Sequence, residues 1–372
     1  MLLGIPKETV PGERRVAITP ANVPTLNASG VDVIVETDAG GQAGFSDEAY
    51  QQKGARLAPA RDAVFEANVL LYVRASRAAL DAVRAGQTLI GLADPLNARD
   101  DIEALAERGV SLFALELLPR ITRAQSMDVL SSMATIAGYK AVLIAAERLP
   151  KLFPMMVTAA GTIPPAKVLV IGAGVAGLQA IAMSRRLGAV VTAYDVRPEV
   201  KQEVESLGAR FAELSLDTED SQDERGKAKA LGEDVYEQQR TLMLRLVEGA
   251  DVVVTTAAVP GRTAPRLITA AMVDAMAAGS VIVDLAAASG GNCELTQPDT
   301  IVEHRGVIVL GPTNLPATVT FHASQMYGKN ITTFLLNMIV DGNLHVDLKD
   351  EVVRETLVVR DGAIVHPRLL ER

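Results

Sequence analysis

The chain has 372 residues, 49% of them hydrophobic and 22% charged, a composition that predicts a globular protein with two domains rather than one. Its net charge of −9 argues against nucleic acid as a partner. Neither a signal-peptide pattern nor a run of about 18 uninterrupted apolar residues is present, so we expect a cytoplasmic chain that does not itself enter a membrane. The only cysteine, Cys293, excludes an internal disulfide and fits a reducing compartment.

Helices and strands alternate through the first third of the chain, after an opening strand and a polar loop. The clearest strands are predicted at 31–36, 69–73, 88–92 and 110–115. Such alternation predicts a parallel sheet with helices on both of its faces.

The second half repeats the first in outline, in the same order. SGVDVIVE (29–36) is echoed by LGAVVTAY (187–194), and EANVLLYV (66–73) by EGADVVVT (248–255). RAGQTLIGLA (84–93) is echoed by MAAGSVIVDLA (276–286), and ERGVSLFALELLP (107–119) by HRGVIVLGPTNLP (304–316). The fold class predicted from these echoes is α/β, with two related doubly wound, Rossmann-like domains.

Two long helices are predicted to join the domains, at 122–148 and 324–340. The tail TLVVRDGAIVHP then reads as a hairpin that turns at Asp361-Gly362 and returns to the first domain. The predicted first domain is therefore 1–135 plus 328–372, and the second is 136–327. An interdomain cleft between them is the expected place for chemistry.

A glycine-rich turn marks the second domain. The apolar strand Lys167–Ile171 runs into Gly172, Gly174 and Gly177, in the pattern G-x-G-x-x-G, and a helix that ends at Gly188 follows. In such a turn the first glycine permits a tight bend, the second lets the backbone approach a pyrophosphate, and the third lets the helix pack closely. The helix N-terminus offers amide groups to the phosphates. Strand, turn and helix together predict a dinucleotide site, against the alternative of a purely structural turn.

An acidic residue follows at the expected spacing. Asp195 comes directly after the next predicted strand, 189–194, where a carboxylate accepts both ribose hydroxyls of NAD and repels a 2′-phosphate. Arg197 could instead hold that phosphate, so NADP stays open, although the pattern favours NAD.

The densest polar cluster lies at 119–132, where a first-domain strand gives way to the first connecting helix. It contains Arg120, Arg123, Gln125, Asp128 and Ser131. Thr122 and Gln125 also fit a capping box, which would occupy Gln125 with the backbone. The number of polar groups favours a functional role in the cleft.

Three further features bear on chemistry. The charged loop at 217–232 is either a lid over a nucleotide or a surface insertion. Cys293 is interpreted as a packed small residue rather than a reactive thiol. All four histidines lie in the last fifth of the chain, and His304 and His366 are expected in solvent, so we expect the first domain to have no histidine for acid–base work. Hydrolase and zinc-site patterns are not found in the sequence.

The segments RAQSMDVLSS, GAGVAGLQA, DLAAASGGNCEL, GPTNLPA and RDGAIVHP carry a resemblance along the whole chain. It resembles the soluble NAD(H)-binding component, domain I, of the proton-translocating nicotinamide nucleotide transhydrogenases, and is more distantly similar to alanine dehydrogenase. The resemblance implies a homodimer that passes hydride from NADH to NADP⁺ on a separate domain III subunit. A membrane-embedded domain II subunit couples this transfer to proton translocation, which places the chain in the cytoplasm, peripheral to the inner face of the cell membrane.

The resemblance also implies roles for individual residues. Those around the nicotinamide and its ribose are Arg120, Gln125, Asp128 and Ser131, with Arg123 beside them. Those implied to contact the rest of the coenzyme are Gly172, Gly174, Val175, Gly177, Asp195, Val196, Arg197, Gly226 in the mobile loop, and Ala258 beside the adenine.

Two departures from these families matter. The transhydrogenase loop usually carries a tyrosine after its glycine, and here that place holds Lys227. Alanine dehydrogenases use a lysine and a histidine in the first domain, whereas here Tyr72 stands where the lysine would be and the matching strands hold no histidine. Arg15 alone, in a place like that of the substrate-carboxylate arginine, cannot do acid–base work. An amino-acid dehydrogenase and a non-catalytic NAD(H)-sensing module remain as alternatives.

Overall fold

A computed structural model describes residues 1–75, 82–213, 233–258 and 261–370, and for 233–237 it describes the backbone only. By contacts within the chain it divides into two units. The first unit is Met1–Ile136 with Pro316–Arg372, and the second unit is Ala137–Leu315. The first of the predicted domain boundaries, at 135, lies within a helix, and so does the second, at 328.

The elements are numbered in chain order over the described residues. The strands are β1 Leu2–Ile5, β2 Asp32–Glu36, β3 Arg56–Ala58, β4 Val69–Arg74, β5 Thr88–Leu92, β6 Ser111–Ala114, β7 Met156–Thr158, β8 Gly161–Ile163, β9 Lys167–Ile171, β10 Val190–Tyr194, β11 Arg210–Phe211, β12 Val252–Thr255, β13 Val281–Asp284, β14 Ile301–His304, β15 Val307–Leu310, β16 Ile339–Val340, β17 Asn343–Leu344, β18 Leu357–Arg360 and β19 Ala363–Ile364. The α-helices are α1 Val23–Ala28, α2 Asp47–Gln52, α3 Arg61–Val64, α4 Arg99–Glu107, α5 Val129–Arg148, α6 Val175–Arg186, α7 Lys201–Ser206, α8 Glu233–Glu248, α9 Ala270–Asp274, α10 Thr320–Leu336, α11 Glu351–Thr356 and α12 Pro367–Leu370.

Each unit is built on one large, mainly parallel sheet. In the first unit the strand order is β19-β18-β6-β5-β4-β1-β2-β3, and the two strands of the C-terminal tail, β18 and β19, are antiparallel. In the second unit the order is β11-β10-β9-β12-β13-β15-β14, and β14 is antiparallel to its neighbour. The α/β fold with two Rossmann-like sheets is therefore as predicted, with antiparallel strands added at the edges.

The four sequence echoes fall on equivalent strands. Numbered from the start of each unit, the first six parallel strands have the order 3-2-1-4-5-6 in both sheets, which is the Rossmann order. The echoed pairs are β2 with β10, β4 with β12, β5 with β13 and β6 with β15, that is, strands two, four, five and six of each set. The echoes therefore match the two sheets strand for strand.

Continuous apolar runs form these strands because both faces of each sheet are covered. Along β4, Val69, Leu71 and Val73 belong to one buried cluster and Leu70 and Tyr72 to another. The central strand β12 divides its valines in the same way. A strand that is buried on both faces has no polar side, so it lacks the alternation of a half-exposed strand.

The first connecting helix begins later than predicted. Residues Thr122–Met127 form a 3₁₀-helix, and α5 starts only at Val129 because Asp128 has an extended backbone with ψ 94° and interrupts the run. By length and composition α5 is the one described helix that could cross a membrane, with a mean hydropathy of 1.6. A single helix of this kind is weak evidence, since core helices of water-soluble proteins meet the same criterion.

The second connecting helix also differs in its ends. It was predicted at 324–340, but α10 runs from Thr320 to Leu336, and the chain then forms the small hairpin of β16 and β17. Asp341 and Gly342 form the turn of that hairpin with positive φ angles of 49° and 73°. The predicted hairpin at Asp361-Gly362 is confirmed as β18 and β19, with φ angles of 47° and 85° at its turn.

Candidate functional site

The predicted glycine turn lies at the carboxyl end of β9, between β9 and α6. Gly172 has φ +95°, a conformation that side chains disfavour, and a Cβ there would lie 2.5 Å from Oγ1 of Thr256. A Cβ on Gly177 would overlap the carbonyl oxygen of Gly172, so the first turn of α6 lies directly against the bend. A Cβ on Gly174 would meet no atom within 4 Å. Two of the glycines are thus required by packing, and the third borders open space.

The N-terminus of α6 faces this turn. Gly174 is extended, the helix begins at Val175, and the first bond of the helix ladder is donated by Leu178 to the carbonyl of Gly174. The amides of residues 175–177 therefore take no part in the ladder, which is the usual property of an anion-binding helix end. Gly138 of α5 crosses close by, because a Cβ there would overlap the carbonyl oxygen of Ala176.

Asp195 lies beside the same turn, directly after β10. Its Oδ2 accepts a hydrogen bond from the Ala173 amide at 2.7 Å, and its Oδ1 accepts one from the Arg197 amide at 2.9 Å. The Arg197 guanidinium donates to both carboxylate oxygens at 3.0 Å. Burial would raise the pKa of Asp195, but the hydrogen bonds from Arg197 and Ala173 outweigh it and hold the pKa below its ordinary value. The carboxylate is ionised, and its neighbour Val196 is 73% exposed.

The turn that follows β12 forms the adjoining wall of the site. Oγ1 of Thr256 donates to the carbonyl of Gly172 at 3.1 Å, and Ala258 is exposed at the end of this described segment. Asp284 and Asn292 support the turn from behind, although neither was among the predicted site residues. The signal that points to them is an acid at the end of β13 followed by Gly-Gly-Asn, a pattern typical of a tight loop.

The polar cluster of the first unit separates into two groups. Arg120 and Gln125 have exposed side chains. Asp128 instead accepts from the amide and the hydroxyl of Ser131, at 2.8 and 2.6 Å, as a cap at the start of α5 does. The alternative capping box is absent, because Ile121 rather than Thr122 precedes the 3₁₀-helix and makes no side-chain cap bond.

Two contacts tie this cluster to the C-terminal segment of the first unit. Arg123 forms a bidentate ion pair with Asp350 and a hydrogen bond of 3.2 Å to Asn337. Asn330 of α10 donates to the carbonyl of Ser126 at 2.9 Å and receives a hydrogen bond from Ser132 at 2.6 Å. Arg123 is thus already engaged, and its predicted contact with the coenzyme stays a prediction.

Three of the four histidines lie in the first unit, contrary to the expectation for the first domain. His322, His345 and His366 all fall within Pro316–Arg372. His366, which was expected in solvent, is 2% exposed; its Nε2 contacts the carbonyl of Glu355, and burial lowers its pKa. His304 is partly exposed and contacts Asp274.

The remaining expectations divide into one that the structure describes and one that it does not. Cys293 is buried, and burial raises the pKa of its thiol to about 11, so packing rather than reactivity explains it. Gly226, Lys227 and the proposed lid at 217–232 lie outside the described residues.

Comparison with known proteins covers nearly the whole chain. Residues 4–137 match the family "Alanine dehydrogenase/PNT, N-terminal domain", and residues 141–367 match "Alanine dehydrogenase/PNT, C-terminal domain". The chain is 45% identical to an NAD(P) transhydrogenase subunit alpha polypeptide of Rhodospirillum rubrum, over 99% of both chains.

Solved structures give the same result. A transhydrogenase structure from Sinorhizobium meliloti superimposes with a TM-score of 0.86, at 42% identity over 99% of both chains. An L-alanine dehydrogenase structure superimposes with a TM-score of 0.83, at 27% identity over 100% of this chain and 98% of the other.

Proposed function

Because the chain belongs to the alanine dehydrogenase/PNT family, we propose that it is the NAD(H)-binding component of a proton-translocating transhydrogenase. In this proposal it passes hydride from NADH to NADP⁺ held on a separate subunit, and a membrane subunit couples the transfer to proton translocation. The observation that carries the proposal is the identity of 41–45%, over 98–100% of this chain, to NAD(P) transhydrogenase alpha subunits.

The second unit offers a fit for the coenzyme. The open space at Gly174 and the amides at the start of α6 suit a pyrophosphate. The ionised Asp195 suits the adenosine ribose of NAD(H), with Val196, Arg197 and Ala258 around it, and disfavours the 2′-phosphate of NADP(H). An ion pair that already covers both oxygens of Asp195 must then rearrange or share when the ribose binds.

The chemistry asks little of the protein beyond positioning. Bound NADH supplies the hydride, and transfer between two nicotinamide rings moves no proton at the reacting carbons. A general acid or base is therefore unnecessary, and the side chains need only orient the ring and exclude water. We assign the orientation to Gln125 and Arg120, whose side chains are exposed, and the support of their segment to Asp128 and Ser131.

The proposed assembly is a homodimer that is held at the inner face of the cell membrane through its partner subunits. The β7–β8 hairpin supports a dimer, because all six of its strand residues are exposed and it pairs with neither large sheet. A lone two-stranded hairpin is marginally stable in water, and its exposed Met156, Val157 and Ile163 call for a covering surface. Val157→Asp should shift the sedimentation of the protein toward the monomer.

Reconstitution tests the proposal most directly. The purified chain, mixed with a separately made NADP(H)-binding component, should transfer hydride from NADH to NADP⁺. NADH binding without any transfer would favour the sensing module. Rapid turnover of alanine or pyruvate with a nicotinamide nucleotide by this chain alone would favour the alanine-dehydrogenase alternative, for which the similarity to L-alanine dehydrogenase speaks.

The role of Gln125 needs a variant of its own. Gln125→Asn shortens the side chain by one methylene group and should slow reconstituted hydride transfer by tenfold or about that, because misplaced reacting groups lose proximity. Thr122→Ser, on the same 3₁₀-helix, is the matched control and should transfer at the rate of the unaltered protein. Equal rates for both variants would remove Gln125 from the site.

A further inference from the structure

A fully buried acid organises the carboxyl edge of the second sheet behind the candidate site. Asp284, at the end of β13, is 0% exposed. Its carboxylate accepts five hydrogen bonds of 2.7–3.0 Å, from the Thr255 hydroxyl, the Ala286 amide, the Asn292 amide, the Cys293 amide and the Thr296 hydroxyl. Buried carboxylates persist when their oxygens are satisfied in this way. Asp284 therefore holds the loop that carries Asn292 in one conformation.

The side chain of Asn292 reaches from that loop to the neighbouring turn. Its Oδ1 accepts from the amide of Ala257 at 3.0 Å, and its Nδ2 donates to the carbonyl of Ala257 at 2.7 Å. Nδ2 also donates to the carbonyl of Pro265 at 2.9 Å. A single buried amide thus binds both polar groups of Ala257 and fixes the path of the chain after β12.

That turn in turn braces the glycine bend. Thr256 donates its amide to the carbonyl of Ile171 at 2.8 Å and its hydroxyl to the carbonyl of Gly172 at 3.1 Å. The next residues are Ala257, which Asn292 holds, and Ala258, which is exposed. A displacement of Ala257 would therefore move both the brace on Gly172 and the wall formed by Ala258.

We propose that Asn292 is a positioning residue for the dinucleotide, acting through the peptide groups of Ala257 on the turn 255–258. The inference rests on the proposed NAD(H) binding. Asn292 makes no contact with the coenzyme and keeps the turn in its binding-competent conformation. Loss of the amide lowers the competent fraction of the protein, and the apparent dissociation constant rises in inverse proportion to that fraction.

The residue type is part of the inference. An asparagine amide accepts from one peptide group and donates to two carbonyl groups at once, which no ionised aspartate can do. A protonated aspartic acid could again accept from the Ala257 amide and donate to its carbonyl. Its ionised form would instead place a second charge beside Asp284 and oppose the Ala257 and Pro265 carbonyls.

The test compares three variants by NADH titration and by reconstituted hydride transfer. Asn292→Ala should weaken NADH binding about tenfold, because two hydrogen bonds to the turn are lost, and should raise KM for NADH with kcat nearly unchanged. Thr296→Val removes a hydrogen bond to Asp284 without touching the turn, and it should lower thermal stability while keeping the affinity. Asn292→Asp should bind weakly at pH 8 and recover toward pH 6, whereas Asn292→Ala should not recover.

The outcomes separate this inference from the proposed function. If the unaltered protein does not bind NADH, the proposed function fails. If it binds NADH and Asn292→Ala binds equally well, only the positioning role is wrong. Equal weakening in Asn292→Ala and Thr296→Val, with no recovery of Asn292→Asp at low pH, would mean that the residue serves stability alone.

Discussion

The two units share one strand order but use the crevice at the centre of the sheet in opposite ways. In the second unit the turn after the first strand is glycine-rich, and at Gly174 it borders open space. In the first unit the equivalent turn, after β1, carries Glu8, whose carboxylate accepts hydrogen bonds from the amides of Val73 and Arg74 on β4. Since β1 and β4 flank the point where the strand order reverses, Glu8 bridges the position at which Rossmann sheets bind ligands.

The acids at these two edges also differ in charge. Hydrogen bonds lower the pKa of Asp195, so it carries a charge that a ribose or an arginine can use. Desolvation raises the pKa of Glu8 to about 8, against the hydrogen bond from Val73, so it is mostly neutral at pH 7. The comparison teaches that the sheet supplies the crevice, while the turn after its first strand decides whether the crevice is open or filled.

The strongest test of the open crevice is the pair Gly177→Ala and Gly174→Ala. The first places a methyl group against the carbonyl of Gly172 and should cost about 3 kcal/mol of unfolding free energy, together with NADH binding. The second has room in the folded chain and should keep the melting temperature, yet weaken NADH binding by tenfold or about that, because the methyl group occupies the space meant for the pyrophosphate. Calorimetric melting and NADH titration measure both. Normal NADH binding by Gly174→Ala would place the pyrophosphate elsewhere.

The charge at Asp195 is the next contribution in size. Asp195→Asn removes the negative charge and should weaken NADH binding about tenfold, as expected for lost charge-assisted hydrogen bonds. It should also narrow the preference for NADH over NADPH, since the repulsion of a 2′-phosphate disappears. Titration with both nucleotides gives the ratio. Arg197→Ala, which frees the carboxylate, is the control and should not weaken NADH binding to the same extent.

The filled crevice can be tested through the pH dependence of stability. The pKa of Glu8 is about 8 in the folded chain and 4.5 as its ordinary value, so the folded state holds the extra proton between these values. Stability must then fall as the pH rises through this window, by at most about 1.4 kcal/mol per pH unit. Glu8→Gln should flatten this decline in urea unfolding between pH 5 and pH 8. Glu116, whose pKa burial raises to about 7, leaves a residual slope. An unchanged slope would show that Glu8 is not protonated in the folded state.

The smallest effect is expected one residue before Glu8. Lys7 forms an exposed ion pair with Asp38, and such pairs contribute about 0–1 kcal/mol. Lys7→Ala should therefore change the unfolding free energy by less than about 0.5 kcal/mol and leave the pH slope in place. A larger change would mean that the filling of the crevice depends on the whole turn rather than on the carboxyl of Glu8.

Much of the fold could be predicted because it depends on neighbouring residues. The strands Thr88–Leu92 and Lys167–Ile171 coincide with apolar runs, and Gly188 ends α6 with φ +90° as a glycine after a helix does. The start of α5 was missed, because apolar content suggested one helix from Thr122, whereas Asp128 caps a separate helix through Ser131.

The supporting residues of the site could not be predicted in this way. Asn292 meets Ala257 across 35 positions, and Glu8 meets Val73 across 65. The histidines of the C-terminal tail were assigned wrongly for the same reason, since only the return of the tail brings them into the first unit. Such partners are set by strand order and not by spacing along the chain.

By itself the sequence determined the elements and the glycine turn with its acid, since positive φ angles, apolar periodicity and turn chemistry are properties of adjacent residues. Only the tertiary structure decided which carboxyl group is charged, which is neutral and which loop holds the turn in place. Those properties depend on desolvation and on hydrogen-bond partners that distant segments bring together at the edge of a sheet.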